Sequence, residues 1–293
     1  MDFRRRRRTQ KYTFKSQKLE DVRELGSLVV NPEDLKGKYG RLIPLLKTNM
    51  VEGILATLVQ FYDPLYRCLT FPDYQFVPTL EEFSHLIGLP IPDQAPFSIL
   101  EEIPKHHDIP KATHLRMSEI KDNLTTKGGI LGLLAKFLID KAHYFVSMKS
   151  MDAFEDILAF LIYGLFLFPN VDDFVDLNSI EIFLVGNPVP TLLADVYHSV
   201  HLMSSHKGGM IICCITLLYK WFISHLPQST AFWDLKDGWL WSQKIMYLTH
   251  YDIDWYDRAY EGVKIIDSCG EFTNVPLLSI KGGINYNPML ARR

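Results

Sequence analysis

Residues 61–90 read FYDPLYRCLTFPDYQFVPTLEEFSHLIGLP, and this stretch holds the clearest helix start and stop signals in the chain. Asp63 precedes Pro64, which lacks an amide hydrogen and disfavours helical geometry in the residue before it. We therefore predict that the preceding helix ends there. Thr79 and Glu82 match the capping-box pattern, in which each side chain accepts a hydrogen bond from an otherwise unpaired backbone amide. A second helix is predicted to begin directly after Thr79.

This predicted second helix is short and has one apolar face. Its apolar residues recur at helical spacing and are Leu80, Phe83, Leu86 and Ile87. Gly88 favours the left-handed backbone geometry that ends many helices, and Pro90 does not continue a helix. The element is therefore predicted to be an amphipathic helix that is closed at both ends.

The composition indicates a packed, mainly helical fold. The chain has 293 residues, and its 47% hydrophobic content is sufficient for a sizeable core. Three segments are apolar nearly all round and are predicted to be central helices: 130–139, 154–168 and 210–226. Strand signals are few, at 180–185 and 275–280. We predict a single mainly α globular domain over residues 19–293 with a minor β hairpin or small sheet. The end at 291–293 has no polar tail, which leaves open a longer polypeptide.

The first 18 residues are strongly basic. They hold eight of the 31 basic and one of the 34 acidic residues, which leaves 23 basic against 33 acidic residues in the rest. Such a segment buries too little apolar surface to offset the entropy of ordering, so residues 1–18 are predicted to be a disordered tail. Three roles stay open for it: nuclear import, a nucleic-acid contact, or solubility. The candidate contact residues are Arg4, Arg5, Arg6, Arg7, Arg8 and Lys11.

The sequence also bears on the compartment. No apolar segment reaches the roughly 18–20 residues that a bilayer crossing needs, and no apolar stretch follows the basic N-terminus as it does in a secretory signal. The four cysteines contain no Cys-x-x-Cys pair and do not match a secreted disulfide framework or a zinc site. We expect a nuclear or else cytoplasmic protein that is not secreted and has no membrane partner.

The ionisable residues suggest no catalytic constellation. His198 and His201 are one helical turn apart, but a metal site would need a third ligand, so packed or solvated histidines are favoured. The carboxylates Asp172, Asp173 and Asp176 lack the spacing of a calcium loop, and a solvated helix start is favoured. The cysteines at 213 and 214 lie in an apolar run, where thiols are usually inert. We therefore predict a protein that is not an enzyme, with no metal and no cofactor.

A Lys-Gly-Gly sequence followed by an apolar residue occurs at Lys127, Lys207 and Lys281. Paired glycines at a helix start could hold an anion on free backbone amides. None of the three matches the phosphate-binding loop Gly-x-x-x-x-Gly-Lys-Ser/Thr. We favour the alternative, in which the glycines are hinges before buried helices.

The region from residue 231 to residue 260 is crowded with aromatic residues, which are enriched both in cores and at protein interfaces. Core packing is the first expectation. If some of them are exposed together, they would form a partner surface rather than a base-stacking platform, because few arginines lie among them. The candidates for this surface are Trp233, Trp239, Trp241 and Trp255.

The stretch 61–90 resembles the signature of the plant mobile domain, a transposon-associated family with an uncharacterised plant branch. The residues that carry the resemblance are Asp63, Pro64, Pro78, Thr79, Leu80, Glu81, Glu82, Gly88, Leu89 and Pro90. Further similar segments lie at 154–168, 192–197, 209–221, 269–277 and 281–288. The resemblance implies a transposon-derived protein that acts in the nucleus in transposon silencing or genome maintenance. MAIN-like relatives imply phosphatase-like protein partners.

The same family is sometimes labelled aminotransferase-like. A pyridoxal enzyme requires a Schiff-base lysine and a phosphate cup on a scaffold of alternating strands and helices. The sequence lacks that alternation, so we expect no aminotransferase activity. The leading prediction is a non-enzymatic protein-interaction domain. Two alternatives stay open: a nucleic-acid-binding accessory protein of a transposable element, and an enzyme of unrecognised type.

Overall fold

The structure, a computed structural model, describes residues 11–16, 18–51, 53–91, 108–234, 240–255, 265–266, 268–269, 271 and 273–288. The fold is mainly α, as predicted. The helices in the described residues are α1 Glu20–Ser27, α2 Pro32–Tyr39, α3 Leu42–Leu46, α4 Ile54–Leu58, α5 Leu80–Ile87, α6 Ile109–Thr113, α7 Met117–Asn123, α8 Ala135–Ser147, α9 Met151–Ile162, α10 Leu177–Val185, α11 Val189–Ser205, α12 Ile215–Ser224, α13 Thr230–Trp233 and α14 Trp241–Tyr247.

Short strands form four small sheets in these residues, where the sequence predicted one hairpin or sheet. The strands are β1 Tyr12–Phe14, β2 Tyr62–Asp63, β3 Cys68–Thr70, β4 Gln75–Phe76, β5 Leu124–Lys127, β6 Ile130–Leu134, β7 Phe174–Asp176, β8 Gly209–Ile211, β9 Val275–Ser279 and β10 Gly282–Tyr286. Strands β2-β3-β4, β5-β6-β7 and β9-β10 pair antiparallel, and β1 pairs parallel with β8. The strand predicted at 275–280 is confirmed by β9.

The core is built around α9 and α11. Nearly every residue of α9 is buried, and the helix continues into a buried π-helical segment, Tyr163–Leu167. Strand β7 packs closely against this segment: a Cβ on Gly164 would lie only 2.4 Å from Cγ1 of Val175. The apolar run predicted as a central helix at 154–168 is therefore helical and buried, and glycine allows the sheet to approach it.

Three predicted elements differ in the structure. Residues 180–185 are helical, not a strand, because Oδ1 of Asp176 accepts a hydrogen bond from the Ser179 amide at 2.8 Å and starts α10. Residues 130–134 form β6 rather than a helix, and residues 209–211 form β8 before α12. At 180–185 the helix cap outweighs a strand-like pattern of apolar residues. In β6 and β8, pairing with neighbouring strands outweighs a helix-like pattern.

The Lys-Gly-Gly pairs are turns before strands and not hinges before helices. Gly128 and Gly129 have φ values of 61° and 81° in the turn between β5 and β6, and Gly282 follows the turn between β9 and β10 with φ 143°. Gly208 has φ 132° and precedes β8. Glycine adopts these angles without the steric cost of a side chain.

The predicted boundary of the tail at residue 18 is corrected. Tyr12–Phe14 pairs with Gly209–Ile211, which supplies hydrogen-bond partners for the backbone of this segment. Nζ of Lys15 donates to the Asn170 carbonyl at 2.6 Å and lies 3.0 Å from Oδ1 of Asp172. Order therefore begins before residue 19, while residues 1–10 lie outside the described part of the chain.

Candidate functional site

The predicted capping box is present at the start of α5. The Thr79 amide donates to Oε2 of Glu82 at 2.8 Å, and the Glu82 amide donates to Oγ1 of Thr79 at 3.3 Å. At the other end, Gly88 adopts the predicted left-handed geometry with φ 76°. The helix bounds Leu80–Ile87 agree with those predicted from the sequence.

The glutamates of this helix also form hydrogen bonds with residues in the C-terminal third of the chain. Oε1 of Glu82 lies 2.8 Å from Nε2 of His225, and Nδ1 of His225 donates to the Asp254 carbonyl at 2.6 Å. Burial opposes protonation of His225, but the hydrogen bond and charge of Glu82 outweigh it and raise the pKa of His225. Oε1 of Glu81 accepts from the Ile266 amide at 2.7 Å, and burial raises the pKa of Glu81. These signature residues therefore serve the tertiary structure.

Asp63 and Pro64, at the start of the signature, lie in a tight turn that ends at Arg67. Oδ1 of Asp63 accepts hydrogen bonds from the amides of Leu65 at 2.8 Å and Tyr66 at 3.3 Å. The Asp63 carbonyl accepts from the Arg67 amide at 2.7 Å, and Arg67 adopts φ 54°, an uncommon conformation for a residue with a side chain. Nη1 of Arg67 then donates to the Asn285 carbonyl at 3.0 Å.

Arg67 lies at a cleft between α11 and the β9–β10 hairpin, which we call the α11 cleft. His198 and His201 project from α11 into its lining, so the structure brings these two predicted candidates together with an arginine that sequence reasoning missed. Nδ1 of His201 lies 3.3 Å from the Tyr62 hydroxyl. The cleft has a volume of about 530 Å³, and its lining is completed by Pro276, Leu277, Leu278, Gly283, Ile284 and Asn285.

The surroundings of both histidines of the α11 cleft favour the neutral imidazole. Burial, together with the charge of Lys281, lowers the pKa of His198, and burial with the charge of Arg67 lowers the pKa of His201. A neutral imidazole offers one donor and one acceptor. Nδ1 of His198 is buried and has no hydrogen-bond partner among the residues described. The histidines therefore retain hydrogen-bonding capacity that the protein itself does not use.

An ion pair between the partly buried Lys281 and the buried Asp195 joins the two elements that border the cleft. Nζ of Lys281 lies 3.0 Å from Oδ1 and 3.2 Å from Oδ2 of Asp195, and it donates to Oγ of Ser199 at 3.2 Å. Oγ of Ser279 donates to the same carboxylate at 3.3 Å. Burial raises the pKa of Asp195 against the opposing charge of Lys281. This network ties the β9–β10 hairpin to α11 and fixes the width of the cleft.

The tryptophans predicted as a partner surface do not form an exposed patch. Trp241 is buried, and Trp233 and Trp255 are half-buried with indole nitrogens bonded to the carbonyls of Pro227 and His250. Trp239 lies outside the described residues. Core packing explains the three that are seen, so the partner-surface prediction is corrected for them.

Exposed apolar side chains lie beside these tryptophans instead. Their exposed fractions range from 58% to 86%, with Tyr251 the most exposed, and we call the set the α14 surface: Leu240, Met246, Tyr247 and Tyr251. The opposite side of α14 carries Trp241 and Ile245, which are buried in the core. The segment therefore has one packed side and one side open to solvent.

The remaining predicted residues are distributed as follows. Arg4 to Arg8 lie outside the described residues, whereas the Lys11 side chain is exposed and its carbonyl accepts from the Gly209 amide. Asp176 is buried at the start of α10, where the sequence predicted a solvated helix start. Burial raises the pKa of Cys214 to about 12.

No group of three or more histidine, cysteine, aspartate or glutamate side chains within the described ranges is arranged to hold a metal ion. In the same ranges, no helix combines the length and the apolar character that spanning a membrane requires.

The comparisons with known proteins identify a family. No curated protein and no solved structure matches the chain. The model of DUF7745, a domain of unknown function, matches residues 22–293 and so includes α5, the α11 cleft and the α14 surface. The chain therefore belongs to the DUF7745 family.

Proposed function

We propose that this chain is a non-enzymatic protein-interaction domain, and that the α14 surface binds the partner. The observation that carries the proposal is the exposure of large apolar side chains on α14 and on the residues that flank it. Tyr247 and Tyr251 are 72% and 86% exposed. Tyrosine and methionine are enriched in protein interfaces, where the ring or thioether is buried upon binding.

Hydrogen bonds from the buried side of α14 position the α14 surface. Nζ of the buried Lys244 donates to the carbonyl oxygens of Phe232 at 2.9 Å and Asp234 at 2.6 Å, which fixes α14 against α13. A surface that is already ordered loses little conformational entropy on binding.

The turn after α14 is ordered by its own contacts. Oδ2 of Asp252 accepts from the amide of Thr249 at 2.8 Å and from its hydroxyl at 2.7 Å. Nδ1 of His250 lies 3.0 Å from Oδ2 of Asp73, and the His250 ring is 3.8 Å from the ring of Tyr251. These contacts order the turn, in which Tyr251 is exposed to solvent.

The biological setting is part of the same proposal. We infer a transposon-derived domain that acts in the nucleus, in transposon silencing or genome maintenance with phosphatase-like partners. The support is the similarity of residues 61–90 to the plant mobile domain pattern and the arginine run at Arg4 to Arg8. Deletion of residues 1–10 in a fluorescently tagged protein tests the nuclear part, with loss of nuclear accumulation expected.

The test of the interaction proposal compares two pairs of exposed apolar residues in pull-downs from plant nuclei. Tyr247→Ser with Tyr251→Ser removes aromatic area from the α14 surface, and Tyr144→Ser with Met148→Ser removes exposed apolar area from the C-terminal end of α8 and the residue after it. We expect the first pair to lose a protein that the unaltered chain and the second pair both retain. Equal retention by both pairs would refute the α14 surface as the binding site.

A further inference from the structure

The α11 cleft combines a positive charge, two neutral imidazoles and an apolar wall in one concave site. Its described lining contains Arg67, His198 and His201 but no carboxylate. Two carboxylates of the neighbouring segments are already engaged: Asp195 binds Lys281, and Asp63 accepts from the amides of the turn. The charge balance of the lining therefore favours an anion.

Arg67 has the geometry of an anion-binding residue. Its left-handed backbone is fixed by the Asp63 turn, and Nη1 is held by the Asn285 carbonyl at 3.0 Å. Among the residues described, the remaining guanidinium nitrogens have no protein acceptor. A guanidinium held at one nitrogen can present the others to two oxygens of a phosphate without further loss of side-chain entropy.

The histidines complete the polar end of the site. His198 and His201 are three positions apart in the sequence and so lie on the same side of α11. Each neutral ring can donate one hydrogen bond to a phosphate oxygen. Neutral donors are compatible with the adjacent Arg67 and Lys281 charges, since protonated rings would be repelled by them.

The opposite side of the cleft is apolar. The hairpin supplies the apolar residues of the lining, which are Pro276, Leu277, Leu278 and Ile284. The volume of about 530 Å³ is in the range of small-molecule sites, about 300–1,000 Å³, and exceeds what a bare inorganic anion fills. We propose that the α11 cleft binds a small organic phosphate, with the phosphate at Arg67 and the histidines and an apolar body against the hairpin.

The test is calorimetric titration of the full chain with phenyl phosphate, with inorganic phosphate and benzyl alcohol as partial probes. We expect phenyl phosphate to bind saturably, about tenfold tighter than either partial probe, because it fills both ends of the cleft. Binding of phenyl phosphate no tighter than that of inorganic phosphate would overturn the proposal.

Variants locate the site. Arg67→Asn removes the guanidinium but keeps a residue that tolerates the left-handed conformation, and it is expected to weaken binding about tenfold. Arg116→Gln removes an exposed arginine directly before α7 and should leave binding unchanged. If Arg67→Asn fails to fold, His201→Gln decides, with a severalfold loss expected. Unchanged affinity in the folded cleft variant would refute the site, independently of the α14 surface.

Discussion

Nε2 of His225 on α12 lies 2.8 Å from Oε1 of Glu82 on α5. This contact joins the signature helix to the C-terminal third of the chain, since the same histidine donates from Nδ1 to the Asp254 carbonyl. Glu82 therefore closes the first turn of α5 with one oxygen and binds His225 with the other. A capping residue thus also stabilises a long-range contact.

The pair predicts a pH dependence of stability. Because the folded pKa of His225 is raised, its contribution is complete below about pH 6.5, the ordinary histidine pKa, and is lost as the pH rises through the folded pKa. Glu82→Gln removes the charge that holds this proton. We expect urea titrations to show a loss of about 1–3 kcal/mol at pH 6 and a smaller loss at pH 9.

The control for this prediction is Glu33→Gln, which removes a carboxylate from an exposed pair with Lys36. A surface pair of this kind contributes about 0.5 kcal/mol or less, so the pH dependence of the unaltered protein should be retained. An equal loss at pH 6 and pH 9 in Glu82→Gln would contradict the assignment of the proton to His225.

A second prediction concerns the ion pair behind the α11 cleft. Lys281→Met leaves the buried Asp195 carboxylate without its cation, which is expected to cost about 3–5 kcal/mol in free energy of unfolding. Adding Asp195→Asn should restore part of that loss, because the unpaired charge is then removed. Urea unfolding of the single and double variants measures both values, and a double variant no more stable than Lys281→Met would contradict the reasoning.

A third prediction follows from the close contact of β6 and β7. A Cβ on Gly132 would lie 2.2 Å from the Val175 carbonyl oxygen, so Gly132→Ala forces the strands apart. Thermal and urea unfolding should show a loss of about 1–3 kcal/mol. Gly37→Ala in α2 has open space around it and should stabilise by about 0.5–1 kcal/mol. Similar effects of the two substitutions would show that the β6–β7 contact is looser than described.

Helix ends that depend on nearby residues are predicted well from this sequence. The capping box of Thr79 and Glu82 and the C-terminal cap at Gly88 depend on residues in or next to a single helix, and the structure confirms both features. Residues 180–185 show the limit of a local pattern. Their β-branched and aromatic residues predict a strand, but the Asp176 side chain and the left-handed Gly186 close the segment as a helix.

The α11 cleft could be predicted only in part. The spacing of His198 and His201 indicates one face of a helix, but their partner Arg67 is about 130 positions away in the sequence. Its left-handed conformation has no glycine to signal it, and its contact with Asn285 depends on a hairpin packed against α11. The exposure of Tyr251 close to buried and half-buried tryptophans likewise depends on tertiary packing, which composition does not reveal.

The central claim is that the α14 surface contacts a protein partner, and site-specific photocrosslinking tests it most directly. A benzophenone amino acid is placed at Tyr251, and in a matched protein at Tyr144, and each is irradiated in nuclear extract. We predict a discrete crosslinked product from position 251 that is absent from position 144 and lost when Met246→Ser and Tyr247→Ser are added. No product at position 251, or the same product from both positions, would contradict the proposed surface.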